Sequence, residues 1–136
     1  MSTMETASEF FDACETGKGW ENCQEYCHAD AGFSAQADAL TEVTTLQGYC
    51  DWMQGLFVPV PNGRYELKGM ALDEARATVL AFATFHGTHT VEGPMPPTGK
   101  TVASDYVYAI TFDGDKISHM TKIWNDGHAL RQFGWA

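Results

Sequence analysis

Hydrophobic residues recur at helical spacing in the first half of the chain and at strand spacing in the second half. The first helical stripe follows the i, i+3, i+4, i+7 spacing of a helix with one buried face. Its members are Ala7, Phe10, Phe11 and Cys14. Ser2, with Glu5 three residues later, predicts a capping box at the beginning of this helix, and Gly17 and Gly19 predict its end.

Two more helices are predicted before the strands begin. The second carries Trp20, Cys23 and Cys27 on one side and ends near residues 28–30, and a short extended segment follows around Phe33. The third begins with a capping box formed by Thr44 and Gln47. Its apolar face consists of Leu46, Tyr49, Cys50, Met53, Leu56 and Phe57. Pro59, Pro61 and the Asn62-Gly63 pair end it, because proline cannot continue a helix and Asn-Gly favours a tight turn.

From residue 64 onward the chain alternates strand-forming segments with turn residues. The predicted strands are Tyr65–Met70, Thr78–His89, Val102–Phe112 and Ile117–Trp124, and Asp113-Gly114-Asp115 predicts a hairpin turn between the last two. The segment 92–100 holds three prolines and two glycines, which predicts a rigid loop. Three helices followed by antiparallel strands predict an α+β fold, in which the N-terminal helices cover the concave face of a curved, cone-shaped sheet.

Composition fits a single domain spanning residues 1–136. Of the residues, 44% are hydrophobic and 12% are aromatic, which suits a fold that encloses a ligand cavity, although the side chains of the cone could also fill it. The net charge of −10 disfavours nucleic acid as a partner, because phosphate contacts need clustered basic residues. No segment has the length and apolar character of a membrane helix or a signal peptide, so we expect a cytoplasmic protein without a membrane partner.

Four cysteines, with His28 adjoining one of them, raise the question of a metal site. Cys23 and Cys27 are one helical turn apart, but they lack the CxxC spacing that is common among zinc ligands. Cys14 and Cys50 lie on the apolar faces of predicted helices, where a free thiol behaves as a small hydrophobic group. We therefore interpret the cysteines as core residues and expect neither a metal, a cofactor nor a disulfide.

Five short motifs occur in register with a known family. They are Tyr26–Asp30; Phe85–Thr90 with Gly93; Pro96–Lys100; the hairpin 114–117; and Leu130–Gly134. With this order and spacing the chain resembles, over nearly its whole length, the SnoaL-like polyketide cyclases of the nuclear transport factor 2 and ketosteroid isomerase superfamily. The resemblance implies a cystatin-like, ketosteroid isomerase-like cone whose pocket works without a cofactor.

The resemblance also implies a pocket carboxylate that moves a proton next to a carbonyl group, with donors that stabilise the enolate. The isomerases' position for this base corresponds to Ala35, which carries no acid. The cyclases' position, at the end of the last strand, corresponds to Asn125, with Asp126 next to it. On a regular strand His119 and Asn125 share one face and Asp126 points away, whereas a bulge at 125–126 would turn Asp126 inward. Asp126, Asn125 and His119 are therefore the candidate catalytic residues, and both orientations remain open.

Further residues are candidates for binding the substrate. Trp52 lies on the helix that is predicted to cover the pocket, where it would form a stacking wall. Tyr106 and Asp105 lie on the penultimate strand, where the cyclases carry a polar helper that Tyr108 or Thr111 could also supply. Phe33 lies on the first extended segment. His89 is the last candidate, although it could instead hydrogen-bond the proline-rich loop and hold it closed.

Two functions from different classes follow. The first is a cofactor-independent acid–base enzyme, an isomerase, cyclase, lyase or dehydratase, that acts on a small hydrophobic carbonyl compound in the cone pocket. The second is a non-catalytic dimeric module of the same fold that binds a small molecule. In either case the apolar residues on both faces of the strand Tyr106–Phe112 predict a homodimer formed through the sheet face, because a monomer would expose them.

Overall fold

Four helices and five strands make up the computed structural model, which describes residues 1–136. The helices are α1 (Thr3–Glu15), α2 (Gly19–Cys23), α3 (Leu46–Leu56) and α4 (Asp126–Phe133). The strands are β1 (Cys27–Ala35), β2 (Arg64–Asp73), β3 (Thr78–Thr88), β4 (Thr101–Asp113) and β5 (Lys116–Trp124). Two short 3₁₀ helices cover Gln24–Tyr26 and Asp38–Leu40. None of the helices has the length and apolar character needed to cross a membrane.

The strands form one curved sheet in the order β1-β5-β4-β3-β2. The pairs β2–β3, β3–β4 and β4–β5 are antiparallel, whereas β1 pairs with β5 in parallel. The predicted α+β class with a curved sheet covered by helices is confirmed. The expectation of a wholly antiparallel sheet is wrong for β1, because this strand reaches the far edge of the sheet after α2 and runs alongside the last strand.

The structure confirms one predicted helix cap, corrects another and shortens the second helix. The Ser2–Glu5 capping box is present at α1, with both hydrogen bonds at 3.1 Å. The second helix is shorter than predicted, because β1 already begins at Cys27. The cap of α3 is Thr45, whose Oγ1 accepts from the Gly48 amide at 3.0 Å, and the predicted box at Thr44 is wrong. The backbone around Thr44 is engaged with β1 instead, since its carbonyl accepts the Phe33 amide.

The hydrophobic core lies between the concave face of the sheet and the helices α1 and α3. Both helices present the apolar stripes expected from the sequence, and the phenylalanines of α1 are fully buried. All four cysteines are free and buried within this core, which confirms their interpretation as core residues. Cys14 and Cys50 meet between α1 and α3, with their sulfur atoms 4.0 Å apart.

A bulge in β5 decides which of its side chains face the core. Thr111 pairs with His119, but the next residue of β4, Phe112, pairs with Ile117, so Ser118 is an extra residue in the ladder. Ile117 faces inward before the bulge, and Met120 and Lys122 face inward after it. His119 and Ile123 therefore lie on the face opposite to Ile117, because the bulge reverses the alternation of side chains along β5.

The C-terminal helix α4 closes the open end of the cone. Asn125 caps it, with its Oδ1 accepting from the His128 amide at 3.1 Å, and Gly134 ends it with a φ of +77°. Phe133 is buried and stacks on Trp135, with ring centroids 4.4 Å apart. The chain beyond β5 thus contributes an aromatic wall to the interior of the cone.

Candidate active site

A small apolar cavity with a volume of about 50 Å³ lies between the concave sheet, α3 and α4. Eleven of its 14 lining residues are hydrophobic. The walls include Trp52, Met53, Leu56, Phe85, Val102, Trp124, Ala129, Leu130, Phe133 and Trp135. The polar groups that reach it belong to Glu15, Ser104, Tyr106 and Lys122. An apolar pocket with a few convergent polar groups is the usual form of a small-molecule site.

Lys122 extends from β5 into a box of aromatic rings. Its residue is only 5% exposed, so the ammonium group is almost wholly removed from water. The nearest ring is Trp124, whose centroid lies 4.0 Å from Nζ. The other rings belong to Tyr49 at 5.1 Å, Tyr106 at 5.3 Å, Trp52 at 5.5 Å and Tyr108 at 5.8 Å. The negative faces of such rings attract a cation and partly replace its lost hydration.

A continuous hydrogen-bonded chain joins Lys122 to Glu15. Lys122 Nζ donates to the Tyr49 hydroxyl at 2.9 Å, and the Tyr108 hydroxyl donates to Glu15 Oε2 at 2.6 Å. The hydroxyls of Tyr49 and Tyr108 are hydrogen-bonded to each other, and Tyr49 must donate because the single proton of Tyr108 goes to Glu15. All three donations therefore run in one direction from the ammonium to the carboxylate, and we name these four residues the relay.

Burial brings the pKa values of Lys122 and Glu15, the two ends of the relay, closer together. It lowers the pKa of Lys122 to about 8, an effect that the negative charge of Glu15 partly offsets. Burial raises the pKa of Glu15, against the opposing influence of the Lys122 charge and the tyrosine hydrogen bonds. A carboxylic acid with a raised pKa and an amine with a lowered pKa are the groups that exchange protons readily near neutral pH.

Tyr106 carries a hydroxyl that lacks a well-formed hydrogen bond. The residue is 3% exposed and lines the cavity, and its hydroxyl lies near the Glu15 carboxylate without a hydrogen bond of ordinary geometry to it. Burial first, and then the nearby negative charge of Glu15, raises the pKa of this phenol, so it stays protonated and remains a donor. An unpaired buried hydroxyl costs free energy unless a ligand satisfies it. Tyr106 is therefore placed to hydrogen-bond an oxygen atom of a bound molecule.

The three predicted catalytic residues lie outside this cavity. Asn125 is exposed and caps α4, and Asp126 Oδ2 accepts from the Ala39 amide at 2.8 Å. His119 Nε2 is hydrogen-bonded to Ser34 Oγ at 3.0 Å on the outer face of the sheet, close against Gly32. The structure does not bring these three side chains together, because the bulge turns His119 outward and α4 begins immediately after Asn125.

Only two of the five predicted substrate-binding residues line the cavity. Trp52 and Tyr106 both form part of its wall. Phe33 is buried behind the cavity, where it stacks on Tyr49 with centroids 4.4 Å apart. Asp105 lies on the outer face, where it accepts from Thr84 Oγ1 at 2.7 Å.

His89 is fully buried at the end of the cone and forms the predicted contact with the proline-rich loop. Its Nδ1 accepts from the Thr98 amide at 3.2 Å and from Trp135 Nε1 at 2.9 Å. The Thr98 hydroxyl in turn donates to the Phe133 carbonyl at 2.7 Å. His89 thus holds the loop and the C-terminal aromatic wall of the cavity together without lining the cavity itself.

Sequence reasoning missed Glu15, Lys122 and Tyr49 as functional residues. Glu15 occupies the position four residues after Phe11 and Lys122 the position two residues after Met120, and both positions face the core. Such a residue could be recognised in the sequence as a charged side chain at a position that the hydrophobic periodicity predicts to be buried. Glu and Lys are almost never fully buried unless they are paired. For Lys122 the periodicity is misleading, because the bulge in β5 shifts which of its residues face the core.

Comparison with known structures supports the fold. A proposed SnoaL-like polyketide cyclase from Jannaschia sp. CCS1 is 16% identical with a TM-score of 0.78, over 98% of this chain and 92% of that one. IdmH from Streptomyces antibioticus, a proposed polyketide cyclase, is 18% identical with a TM-score of 0.80, over 98% and 99% of the two chains. TerC, crystallised with polyporic acid, is 14% identical with a TM-score of 0.70, over 97% and 98%.

Comparison with known sequences identifies the family. Among curated protein sequences, none is significantly similar to this chain. The model of the SnoaL-like polyketide cyclase family, however, matches residues 5–133. Since this match spans nearly the whole chain, the protein belongs to the SnoaL-like polyketide cyclase family.

Proposed function

We propose that the protein is a cofactor-independent, cyclase-type enzyme that moves protons on a small hydrophobic carbonyl compound. The observation that carries this proposal is the relay, whose two ends, Glu15 and Lys122, both border the same apolar cavity. Cyclisation, isomerisation and dehydration next to a carbonyl group all begin with removal of an α-proton. A buried carboxylate beside convergent donors supplies what this step requires.

Each polar group in the cavity has a distinct part in the proposed reaction. The Glu15 carboxylate takes the α-proton, and burial makes it a stronger base than an exposed carboxylate. Lys122 and the free hydroxyl of Tyr106 donate hydrogen bonds to the carbonyl oxygen, where negative charge develops. The two tyrosines of the relay hold both ends in place and let a proton pass between them.

The walls of the cavity favour an apolar, ring-containing substrate. Trp52, Trp124 and Trp135 all line the cavity with aromatic rings. The co-crystal of the structural relative TerC with polyporic acid supports an organic ligand for this cone as well. The four free cysteines fit a reducing compartment, so we propose that the enzyme works in the cytoplasm.

Catalysed exchange of α-protons tests the proposal without knowledge of the natural substrate. We expect the protein to accelerate deuterium incorporation, followed by NMR in D₂O, into at least one member of a panel of cyclic ketones and 1,3-diketones. Competition by a non-exchangeable aromatic analogue would place the exchange in the cavity. Saturable binding of these ketones without accelerated exchange would contradict the proposal and favour a binding module.

We also propose a homodimer formed through the outer face of the sheet. Phe82, Val107 and Ile123 pair in register across β3, β4 and β5. Phe82 is 40% exposed and Ile123 is 63% exposed, so an apolar row crosses the middle of this face. A second copy, applied through a two-fold axis, would cover the row with the same residues.

Replacement of Ile123 by lysine tests this interface. Ile123→Lys should convert a dimer to a monomer in analytical ultracentrifugation, because two like charges would meet an apolar row across the axis. Val58→Lys is the matched control, since Val58 is equally exposed at 62% but lies after α3, away from the sheet face. A wild-type protein that sediments as a monomer at all concentrations would contradict the proposal.

A further inference from the structure

We propose that Lys122 forms a covalent imine with the carbonyl carbon of the substrate, so that the electron sink of the reaction is a protonated imine. The inference deepens the proposed function and rests on it, because it takes the same carbonyl substrate in the same cavity. It adds a nucleophile that the family resemblance does not imply.

The position of Lys122 favours this chemistry. Its ammonium group lines the cavity, is almost wholly removed from water and has one hydrogen-bond partner, the Tyr49 hydroxyl. No carboxylate pairs with it directly, since Glu15 is reached only through two tyrosines. A lysine that is desolvated in a hydrophobic pocket is the type that attacks carbonyl compounds.

The relay supplies the neutral amine that the attack requires. When each member passes one proton to the next, Lys122 becomes an uncharged amine and Glu15 becomes an uncharged carboxylic acid, while Tyr49 and Tyr108 each lose one proton and gain another. The shift removes two buried charges at once, which limits its cost. The lowered pKa of Lys122 and the raised pKa of Glu15 both favour it.

The covalent step balances with the groups present. The Nζ lone pair attacks the carbonyl carbon, and one proton moves from nitrogen to oxygen, which gives a carbinolamine. Glu15 then returns the proton that it received from Lys122 to this oxygen, the C–O bond breaks and water leaves. The products are a protonated imine on Lys122, a Glu15 carboxylate and one water molecule. That carboxylate then removes the α-proton and leaves a neutral enamine.

Tyr106 is placed to direct the carbonyl group toward Lys122. Tyr106 lines the cavity, the Lys122 Nζ lies 5.3 Å from the centre of its ring, and its hydroxyl makes no hydrogen bond of ordinary geometry. A hydrogen bond from this hydroxyl polarises the carbonyl and stabilises the oxygen during attack. Tyr106 thereby gains a hydrogen-bond partner of ordinary geometry.

Groups from four elements determine the pH at which Lys122 reacts. Glu15 of α1 favours the charged amine, as do Cys14 beside it and Asp126 at the start of α4. The hydroxyls of Tyr49 on α3 and of Tyr106 and Tyr108 on β4 stay neutral, because burial raises their pKa values. Imine formation is therefore expected to rise with pH as Lys122 loses its proton near its pKa of about 8.

Reductive trapping on the wild-type protein tests the proposal. The protein is incubated with cyclohexanone and sodium cyanoborohydride, and the adduct is located by peptide mass spectrometry. We expect one adduct per chain, on Lys122, that forms at least tenfold faster than any adduct on the exposed Lys116 of the same strand. A Lys122→Met variant, checked for folding by circular dichroism, should lose this adduct, whereas Lys116→Met should retain it.

The outcomes separate this inference from the proposed function. Labelling of the exposed lysines with Lys122 unmodified would overturn the imine, even if α-proton exchange were fast and the proposed function stood. An adduct on Lys122 without any catalysed exchange would support the imine and overturn the proposed proton transfer. Loss of the adduct on addition of the aromatic competitor would confirm that it forms within the cavity.

Discussion

The substitution Glu15→Gln is expected to lower the rate of catalysed α-proton exchange by about 10²–10⁴-fold, the usual contribution of a positioned general base. Glutamine keeps the shape of the side chain and can still accept the hydrogen bond from the Tyr108 hydroxyl. It cannot take a proton from carbon, nor can it receive one from Lys122 through the relay. Binding of a ketone that is not turned over should change far less than the rate.

A matched variant separates the loss of the general base from a general effect of removing a carboxylate from α1. Glu9 lies on the same helix but is exposed, so Glu9→Gln should leave the exchange rate within about twofold of wild type. The measurement is the NMR exchange rate for both variants at several pH values. Equal rates for Glu15→Gln and wild type would show that another group removes the proton.

The architecture was predictable because it depends on repeated local patterns. The apolar stripe of α1 and the capping box at Ser2 each follow from residues that are close in sequence. The contact between His89 and the proline-rich loop was predictable for the same reason, since the rigid loop begins only a few residues after the histidine. Predictions from such local patterns stay correct even when the boundaries of the helices and strands are misplaced by a few residues.

The candidate site was not predictable to the same extent, because it depends on long-range pairing. One extra residue at Ser118 decides whether His119 or Lys122 faces the cavity, and only the pairing of β5 with β4 reveals it. The relay joins residues from four elements, and Glu15 and Tyr108 are 93 positions apart. No local motif marks such a chain of contacts. The family resemblance pointed to the end of β5, which lies close to Lys122 in sequence but carries its acid outside the cavity.

The relay is expected to cost stability, and removal of both its charged ends should strengthen the fold. The pKa of Lys122 falls from an ordinary value of 10.5 to about 8. Since each unit corresponds to about 1.4 kcal/mol, burial of the ammonium lowers the free energy of unfolding by about 3 kcal/mol at pH 7. Replacement of a buried ion pair by neutral groups of similar volume is often stabilising by about 1–4 kcal/mol. We expect this for Lys122→Met combined with Glu15→Gln.

The effects of the two single substitutions on the free energy of unfolding should not add up to the effect of the double variant. Glu15→Gln alone removes the charge that raises the pKa of Lys122, so it should destabilise the protein until the lysine loses its proton. Urea unfolding of the four proteins at pH 7 gives the coupling free energy between the two residues. A double variant no more stable than Glu15→Gln would contradict the argument.

The pH dependence of the same measurement identifies the lysine as the cause. Between pH 8 and 10.5 the unfolded chain binds more protons at residue 122 than the folded chain does, so the stability of the wild type rises with pH relative to Lys122→Met. The tyrosines are common to both proteins and largely cancel in this difference. Below about pH 7 the titration of Lys122 itself contributes no further change, because the amine is then charged in both states. A difference that stays flat up to pH 10 would mean that Lys122 has an ordinary pKa, and its proposed part in proton transfer and imine formation would lose its physical basis.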